Sequence, residues 1–338
     1  MLPIDRGLPA GGCHLIQPPG KSPKNAMSPL DRLKRLSRRS GHVVRRLANI
    51  MDPPPVNPFL NFAAPGHYYN PIPESADIEA HRSTYFDLDR DNIPGVSLDV
   101  TTQLAIVADL AQFAPDYMPA ADRPSAEVAG ARFFLVNGFF ESLDAFVLYA
   151  MLRRLAPRQM FEVGSGFSSA LTLDVSARFL VAPPAMTFVD PEPQRLMDLL
   201  DTGDTQRATI IAHPVQQLDP ERFRQLGRDD ILFIDSSHIS KIGSDVNYLL
   251  LEALPRLASG VVVHIHDIFW PFEYPEAWFR EGRCFNELYL VRALLSAGTR
   301  YEILHFNSYL FHRHCTDLAA YPSWATTSGG GSLWLRVR

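Results

Sequence analysis

The chain has 338 residues, of which 46 % are hydrophobic and 20 % charged, and this balance excludes wholesale disorder. Three scattered cysteines exclude a disulfide framework and a four-cysteine zinc site, and they fit a reducing compartment. Residues 1–50 hold ten Lys and Arg against two Asp and Glu, whereas the other residues carry a net charge of −13. An acidic body of this kind argues against nucleic-acid binding.

The first 74 residues are predicted to lie outside the globular part. Residues 1–51 form a basic head, disordered or frayed, in which 30–50 have the spacing of a solvated helix or of an amphipathic membrane-surface segment. The proline cluster of 52–74 predicts an extended arm. Its aromatic side chains can pack on the chain itself or on a second subunit of a homo-oligomer. These aromatic residues are Phe59, Phe62, Tyr68 and Tyr69.

No stretch resembles a secretory signal or reaches the ~18–20 apolar residues that a membrane-spanning helix needs. We therefore expect a cytoplasmic protein without a transmembrane segment. Helical spacing of apolar residues follows over 98–113 and 137–155, and Pro157 ends the second helix. Residues 75–157 are accordingly predicted to form a helical cap.

From residue 158 the pattern changes to alternation of short β-type runs with helical stretches. The predicted strands are Met160–Val163, Met186–Asp190, Thr209–Ala212, Ile231–Asp235, Val261–His266, Tyr301–Phe306 and Ser332–Val337. The predicted helices are Ser168–Leu180, Pro193–Leu200, Pro220–Leu226, Ser244–Leu257 and Phe285–Ala297. This order is typical of an α/β, Rossmann-like, doubly wound sheet of seven mostly parallel strands. Only the loop 312–330 separates the last two strands, which predicts a final antiparallel strand.

Ligands of such sheets bind beyond the carboxyl ends of the strands. The first strand runs into Gly164-Ser165-Gly166, a turn that lets a ligand approach the backbone closely. Glu162 lies two residues before this turn, and a carboxylate there repels a pyrophosphate but suits a cationic ligand with an amino group. Asp190 ends the second strand, where an acid can bind both hydroxyls of a ribose or cap the next helix.

On these residues, the chain over about 135–338 resembles the class I S-adenosylmethionine-dependent methyltransferases. The resemblance implies that the glycines line the methionine part of S-adenosylmethionine, that Glu162 holds its amino end through water, and that Asp190 binds the ribose. It also implies that the segment after the third strand lies near adenine. The implied cofactor-binding residues are Glu162, Gly164, Ser165, Gly166, Ser168, Asp190 and Gln216.

The fourth and fifth predicted strands end in residues that can do chemistry. Asp235 ends one strand and His238 follows three residues later, while His266 and Asp267 end the neighbouring strand. Asp235, His266 and Asp267 together can hold a divalent ion, with Asp235 and His238 as catalytic residues. His238 can take a hydroxyl proton because an unperturbed imidazole has a pKa near ~6.5. His264 is expected to be a core histidine.

This arrangement is similar to the metal-dependent O-methyltransferases of the catechol and macrocin types. Asp235, His238 and Asp267 match their pattern, whereas His266 stands where an acid is usual. Magnesium, manganese, iron and the absence of a metal all stay open. The aromatic run from Ile268 to Phe279 is predicted to be a lid, an acceptor wall or a hydrophobic cluster.

These patterns favour an enzyme that transfers a methyl group from S-adenosylmethionine to a hydroxyl of a small molecule or sugar. Two alternatives stay open: a nicotinamide-dependent (NAD) oxidoreductase, and a non-catalytic cofactor-binding or scaffold protein. Glu162 and the missing third glycine of the dinucleotide fingerprint argue against the oxidoreductase. The predicted methyltransferase domain spans 158–338.

Overall fold

The computed structural model describes residues 62–122, 131–201 and 203–338, and the chain divides into two compact units, 1–80 and 81–338. The basic head, the helix predicted within it and Phe59 lie outside the described residues. In the first unit, residues 62–74 contain only turns and bends, and helix α1 spans Ser75–Ala80. The rings of Tyr68 and Tyr69 are exposed and their centroids lie 4.3 Å apart.

The second unit is built on one seven-stranded sheet. Its strands are β1 Gln159–Val163, β2 Ala185–Val189, β3 Ala208–Ile211, β4 Ile231–Ile234, β5 Val262–Ile265, β6 Tyr301–Phe306 and β7 Leu333–Val337. They lie in the order β3-β2-β1-β4-β5-β7-β6. β7 is antiparallel to both of its neighbours, and the other paired strands run parallel. The predicted Rossmann-like fold class, with its final antiparallel strand, is therefore confirmed.

The central strands are buried on both faces, which explains their unbroken apolar sequences. All four residues of β4, Ile-Leu-Phe-Ile, are buried, and so are all four of β5. The second unit also contains nine helices among its described residues. They are α2 Arg82–Tyr85, α3 Val100–Ala111, α4 Ser142–Leu155, α5 Phe167–Phe179, α6 Gln194–Met197, α7 Asp245–Tyr248, α8 Glu276–Arg280, α9 Glu287–Ser296 and α10 Asn307–Arg313.

Helix α4 is the most deeply buried helix segment of the predicted cap, with every residue from Ser142 to Leu152 inaccessible to solvent. It packs against α5 and shares one hydrophobic core with the sheet. A buried ion pair also holds the segment before α4 in place, because Arg132 binds Asp174 of α5 at 2.7 Å and Asp204 at 2.6 Å. The predicted boundary between cap and methyltransferase domain stays a prediction.

Several predicted elements differ from the structure, among them the helix predicted over Pro220–Leu226, which is a 3-10 helix at Pro220–Gln225. The helix predicted over 244–257 is a helical turn (α7), a π-helical turn at Leu249–Ala253 and a 3-10 turn at Leu254–Arg256. Pro255 explains this break, since it has no N–H for the helical ladder. The predicted loop before β7 begins within α10 and contains short 3-10 turns at Asp317–Ala320 and Ala325–Thr327.

Among the described residues, no helix is both long and apolar enough to cross a membrane. The sheet itself determines where a ligand can bind. The chain proceeds from β1 outward to β2 and β3, and then returns to place β4 on the other side of β1. The carboxyl ends of β1 and β4 therefore open a crevice at this reversal, which is the usual ligand position in doubly wound sheets.

Candidate active site

A cavity of about 430 Å³ lies at this crevice. The residues that follow β1, β2, β4 and β5 form its walls, together with aromatic rings from before α4 and after α8. Its lining includes Phe139, Phe140, Gly164, Ser165, Gly166, Phe167, Ser168, Asp190, Arg195, Val215, Asp235, His238, His266, Asp267, Arg283 and Phe285. The cavity thus brings together most of the residues that the sequence singled out.

The turn after β1 requires glycine at its first position. Gly164 has φ +80°, and a Cβ there would lie 2.0 Å from the carbonyl oxygen of Asp235. The peptide of Asp235 follows β4, which pairs with β1. The glycine therefore allows the backbones beyond two adjacent strands to touch, and this contact joins the turn to the residues after β4.

Glu162 lies beneath the turn and is completely buried. Its Oε1 accepts hydrogen bonds from the hydroxyls of Ser168 at 2.6 Å and Ser169 at 2.9 Å. Its Oε2 has no hydrogen-bond partner within the described part of the chain. Burial raises the pKa of Glu162 to about 8, against the smaller opposing effect of the serine hydroxyls. A buried carboxyl oxygen without a hydrogen-bond partner lowers the stability of the fold unless a ligand supplies the missing donor.

Asp190 lines the cavity and also fastens the glycine turn. Its Oδ2 accepts from the backbone N–H of Ser165 at 2.9 Å, and its Oδ1 accepts from the N–H of Glu192 at 2.8 Å. A carboxylate has about four acceptor positions, so capacity for a ligand remains. Gln216 is not part of the cavity wall: its amide donates to the carbonyl of Gly243 at 3.1 Å, and the neighbouring Val215 lines the cavity instead.

Four side chains converge at the other end of the cavity. Nε2 of His238 lies 3.4 Å from Oδ1 of Asp235 and 3.2 Å from Oδ2 of Asp267. Nδ1 of His266 lies 3.6 Å from Oδ1 of Asp235 and 3.7 Å from Oδ1 of Asp267. Ligand atoms of Asp235, His238 and Asp267 are close enough together to hold a metal ion. We call these four residues the Asp/His cluster.

Each histidine of the Asp/His cluster also contacts a buried carboxylate on its other ring nitrogen. Nδ1 of His238 lies 2.9 Å from Oε2 of Glu287, at the start of α9. Nε2 of His266 lies 3.3 Å from Oδ2 of Asp144 in α4. Sequence reasoning missed both carboxylates, although an acid within the apolar stretch of α4 was a visible signal. The ring orientations are therefore determined by residues far away along the chain.

The carboxylates have a strong effect on the two imidazoles. Burial alone would lower the pKa of His238, but hydrogen bonds to Asp235 and Glu287 raise it to about 10. Burial likewise disfavours the charged form of His266, yet the charge of Asp267 and the bonds to Asp144 and Asp235 raise its pKa well above the usual range. The surrounding carboxylates therefore favour the protonated form of both rings.

His264 behaves as the core histidine that the sequence predicted. It is completely buried, its Nε2 lies 2.8 Å from the hydroxyl of Ser332, and burial lowers its pKa well below the usual value. The aromatic run after β5 contributes to a hydrophobic cluster, as one of the predicted alternatives had it, while its role as a lid or an acceptor wall stays a prediction. Trp270 and Phe272 are buried in the core, while Phe269 lines a second cavity of about 180 Å³.

A cation over an aromatic ring forms part of the wall of the main cavity. The guanidinium of Arg195 lies 4.0 Å from the ring centroid of Phe139, and this ring stacks on Phe167 at 5.9 Å. Neither Arg195 nor Phe139 was predicted, because no local motif marks them.

Residues 161–268 match a family model whose description is "Methyltransferase domain". This stretch includes the glycine turn, Asp190 and the whole Asp/His cluster. This part of the chain is therefore similar to a methyltransferase domain, in agreement with the class I S-adenosylmethionine-dependent methyltransferases that the sequence resembles. The metal-dependent subgroup stays a prediction.

Other comparisons are more distant. An uncharacterized protein from Archaeoglobus fulgidus is 29 % identical over 167 residues, which are 48 % of this chain and 72 % of that protein. A methyltransferase from Podospora anserina, solved with S-adenosylhomocysteine, is 14 % identical, with 79 % of this chain and 98 % of that chain covered and a TM-score of 0.38.

An O-methyltransferase from Streptomyces achromogenes, involved in tomaymycin synthesis and solved with S-adenosylmethionine, is also 14 % identical. The alignment covers 77 % of this chain and 96 % of that chain, with a TM-score of 0.35. At such scores these likenesses carry no argument. The fold rests on the sheet itself, and the domain rests on the family match.

Proposed function

We propose that the protein transfers the methyl group of S-adenosylmethionine to a hydroxyl oxygen of a small-molecule acceptor. One observation carries this proposal: a single cavity exposes the glycine turn at one end and the Asp/His cluster at the other. The first end suits a cationic amino-acid moiety, and the second suits a hydroxyl that must lose its proton.

On the cofactor side, Glu162 and Asp190 are the proposed recognition residues. The unpaired Oε2 of Glu162 can accept a hydrogen bond from the cofactor's ammonium group, directly or through water. Asp190 lies at the end of β2, where an acid can accept from both ribose hydroxyls. Gly164, Ser165, Gly166 and Ser168 provide the close backbone approach. Gln216 donates to the carbonyl of Gly243, so its neighbour Val215, which lines the cavity, takes the proposed place beside adenine.

On the acceptor side, the second cavity is the proposed acceptor pocket. It meets the main cavity at Phe139, His266 and Asp267. Phe139 and Phe269 offer ring faces, and the carboxylates of Glu141 and Asp144 lie in its lining, which contains no Lys or Arg. A pocket of this composition favours a neutral or cationic acceptor with hydroxyl groups over a phosphorylated or carboxylated one.

In the transfer step, the acceptor oxygen attacks the sulfonium methyl group. A carbon–oxygen bond forms, the carbon–sulfur bond breaks with its electron pair going to sulfur, and S-adenosylhomocysteine is left. The hydroxyl proton must leave the oxygen, and neutral His238 can accept it on Nε2. The enzyme otherwise aligns the two molecules and excludes water.

Carboxylate oxygens and imidazole nitrogens of the Asp/His cluster are suitable ligands for a divalent metal ion. When bound, such an ion would lower the pKa of a hydroxyl placed beside it. Asp235, His266 and Asp267 are the predicted ligands. The carboxylates favour the protonated form of His238, which cannot accept a proton. His238 must therefore lose this proton before it can act as a base.

Calorimetric titration with S-adenosylhomocysteine, S-adenosylmethionine and NAD tests the cofactor assignment. We expect the first two to bind and NAD not to bind; the opposite result would support the oxidoreductase. A panel of neutral, cationic and anionic hydroxyl compounds, with and without divalent ions, then tests the transfer. Cofactor binding without any methylated product across that panel would favour a non-catalytic binding protein.

A further inference from the structure

The Asp/His cluster contains two nitrogen ligands as well as two carboxylates. The four nitrogen-to-oxygen distances lie between 3.2 and 3.7 Å. Ligand atoms about 2.1 Å from a tetrahedral ion are separated by roughly 3.4 Å, given zinc–nitrogen and zinc–oxygen bonds of about 2.0–2.2 Å. Ligand atoms of Asp235, His238 and Asp267 lie within 4.8 Å of one another, so these three residues can share one ion, and Nδ1 of His266 borders them at 3.6 Å from Oδ1 of Asp235.

The two histidines are held as metal-binding histidines usually are. In such sites the ring nitrogen that does not bind the metal donates its proton to a carboxylate, which fixes the ring and makes the other nitrogen a better ligand. Glu287 takes this position behind His238, and Asp144 takes it behind His266. Both carboxylates are buried, so neither can turn away to solvent. Nε2 of His238 and Nδ1 of His266 are thus left facing the cluster.

The backbone at two of the four residues is strained. His238 has φ +59° and Asp267 has φ +60°, and residues other than glycine rarely adopt this backbone region. The carbonyl of His238 accepts hydrogen bonds from the N–H groups of Asn286 at 3.0 Å and Glu287 at 3.1 Å, which hold this conformation. Strain of this kind persists where the surrounding structure over-determines it, and it is concentrated at functional sites.

The charge of the region requires a cation. Asp235, Asp267, Glu287 and Asp144 bring four carboxylates around two imidazoles. A divalent ion held among these carboxylates would offset part of their charge, with the imidazoles as neutral ligands.

The geometry points to a transition-metal centre that uses His238 and His266 as nitrogen ligands beside Asp235 and Asp267. Two imidazoles and two carboxylates favour zinc, cobalt, iron or manganese over magnesium, which prefers oxygen ligands and water. His238 is then a metal ligand, and not the base, when the ion is bound. Glu287 and Asp144 are positioning residues. This inference concerns the proposed acceptor site, but its test needs neither acceptor nor methyl transfer.

The test uses the full-length protein, stripped with a chelator and titrated with Co²⁺, Zn²⁺ and Mg²⁺ by calorimetry. We expect one Zn²⁺ or Co²⁺ per chain, bound at least about 100-fold more tightly than Mg²⁺. Bound Co²⁺ should show the visible absorption of a site with nitrogen ligands. Equal or tighter binding of Mg²⁺, or Co²⁺ binding with the spectrum of the hydrated ion, would overturn the inference.

Variants assign the ligands. His238→Ala should weaken Co²⁺ binding by more than about 100-fold, and Glu287→Gln by about 10- to 100-fold, as the loss of an outer carboxylate does in metal sites. His213→Ala, at an exposed histidine away from the cavity, is the matched control and should bind Co²⁺ as the wild type does. Unchanged Co²⁺ affinity in His238→Ala would overturn the inference.

Folding is verified for each variant by its affinity for S-adenosylhomocysteine. If the wild-type protein binds this compound but no transition metal, the metal inference fails while the methyltransferase proposal stands. If it binds Co²⁺ but not this compound, the metal inference stands while the methyltransferase proposal fails.

Discussion

The glycine turn, which is the proposed cofactor end of the cavity, and the Asp/His cluster, which is the proposed acceptor end, are stabilised in different ways. At the cofactor end, the contacts are hydrogen bonds between residues near each other in sequence: Glu162 with Ser168 and Ser169, and Asp190 with Ser165. At the acceptor end, charged groups far apart in sequence meet: His238 with Glu287, and His266 with Asp144, a separation of 122 residues. A local motif can therefore specify the first end, whereas the second exists only in the folded chain.

The contact between the two ends offers the largest expected effect. Gly164→Ala combines a left-handed φ with a Cβ 2.0 Å from the carbonyl of Asp235, so the backbones must separate. We expect a loss of about 3 kcal/mol or more in the free energy of unfolding, and loss of S-adenosylhomocysteine binding, from urea unfolding and calorimetry. Gly282→Ala is the control: its φ is +82° but nothing lies within 4 Å, so only the strain of about 1–2 kcal/mol should remain. Similar losses in both variants would contradict the proposed contact.

Single substitutions at either end of the cavity test whether cofactor binding and turnover depend on different residues. His238→Ala should lower turnover by about 10²- to 10⁴-fold with nearly unchanged cofactor affinity, whether the ring acts as ligand or as base. Asp190→Ala should weaken cofactor binding instead, since it removes the proposed ribose contact and releases the N–H of Ser165. Steady-state kinetics and calorimetry distinguish the two. Loss of cofactor affinity in His238→Ala would contradict the separation of the two ends.

Asp144 tests how far the acceptor end depends on remote parts of the chain. Its carboxylate accepts from Asn307, from the backbone N–H groups of Gly331 and Ser332, and from His266. Burial alone would raise its pKa, but its partners, His266 foremost, lower it. Asp144→Asn should therefore cost about 3 kcal/mol in unfolding free energy, because a buried imidazolium loses its partner. Asp109→Asn, which breaks a surface pair with Arg154, should cost less than about 1 kcal/mol. Equal effects would show that Asp144 has no special role.

Glu162 gives the smallest effect, and here the sign of the change is informative. Its pKa in the folded protein is about 8, above its value of about 4.3 in an unfolded chain. The unfolded chain thus releases its proton first, and stability falls as pH rises from about 4.3 to 8. Glu162→Gln should remove this dependence, stabilise the ligand-free protein at pH 8, and weaken cofactor binding.

Urea unfolding at pH 5 and pH 8 provides the measurement. At pH 5 the two proteins should differ in stability by less than at pH 8, since the carboxyl is protonated in the folded wild type and pH 5 lies close to the unfolded pKa of about 4.3. A variant less stable than the wild type at pH 8 would mean that the ionised carboxylate of Glu162 is stabilised by partners within the protein.

Much of the fold follows from local sequence, and much of the acceptor site does not. The buried runs of β4 and β5, and the glycine turn after β1, can be recognised because apolar pattern and turn residues are local signals. The irregular helix at 245–256 was missed because one proline interrupted a good helical pattern. Asp144 and Glu287 could not be assigned, because their roles depend on which helices pack against which strand ends. The sequence also could not show which residue of the segment after β3 lines the cavity: in the structure it is Val215 and not Gln216.

The position of β7 has a consequence for the order of folding. β7 is inserted between β5 and β6, and the turn that precedes it supplies two of the N–H groups bound by Asp144. During synthesis, a chain that has reached only residue 320 therefore exposes the edge of β5 and leaves β6 without its partner. The strands that hold the glycine turn can pair at this stage, but the support of His266 is incomplete. The acceptor end should consequently be the last part of the enzyme to form on the ribosome.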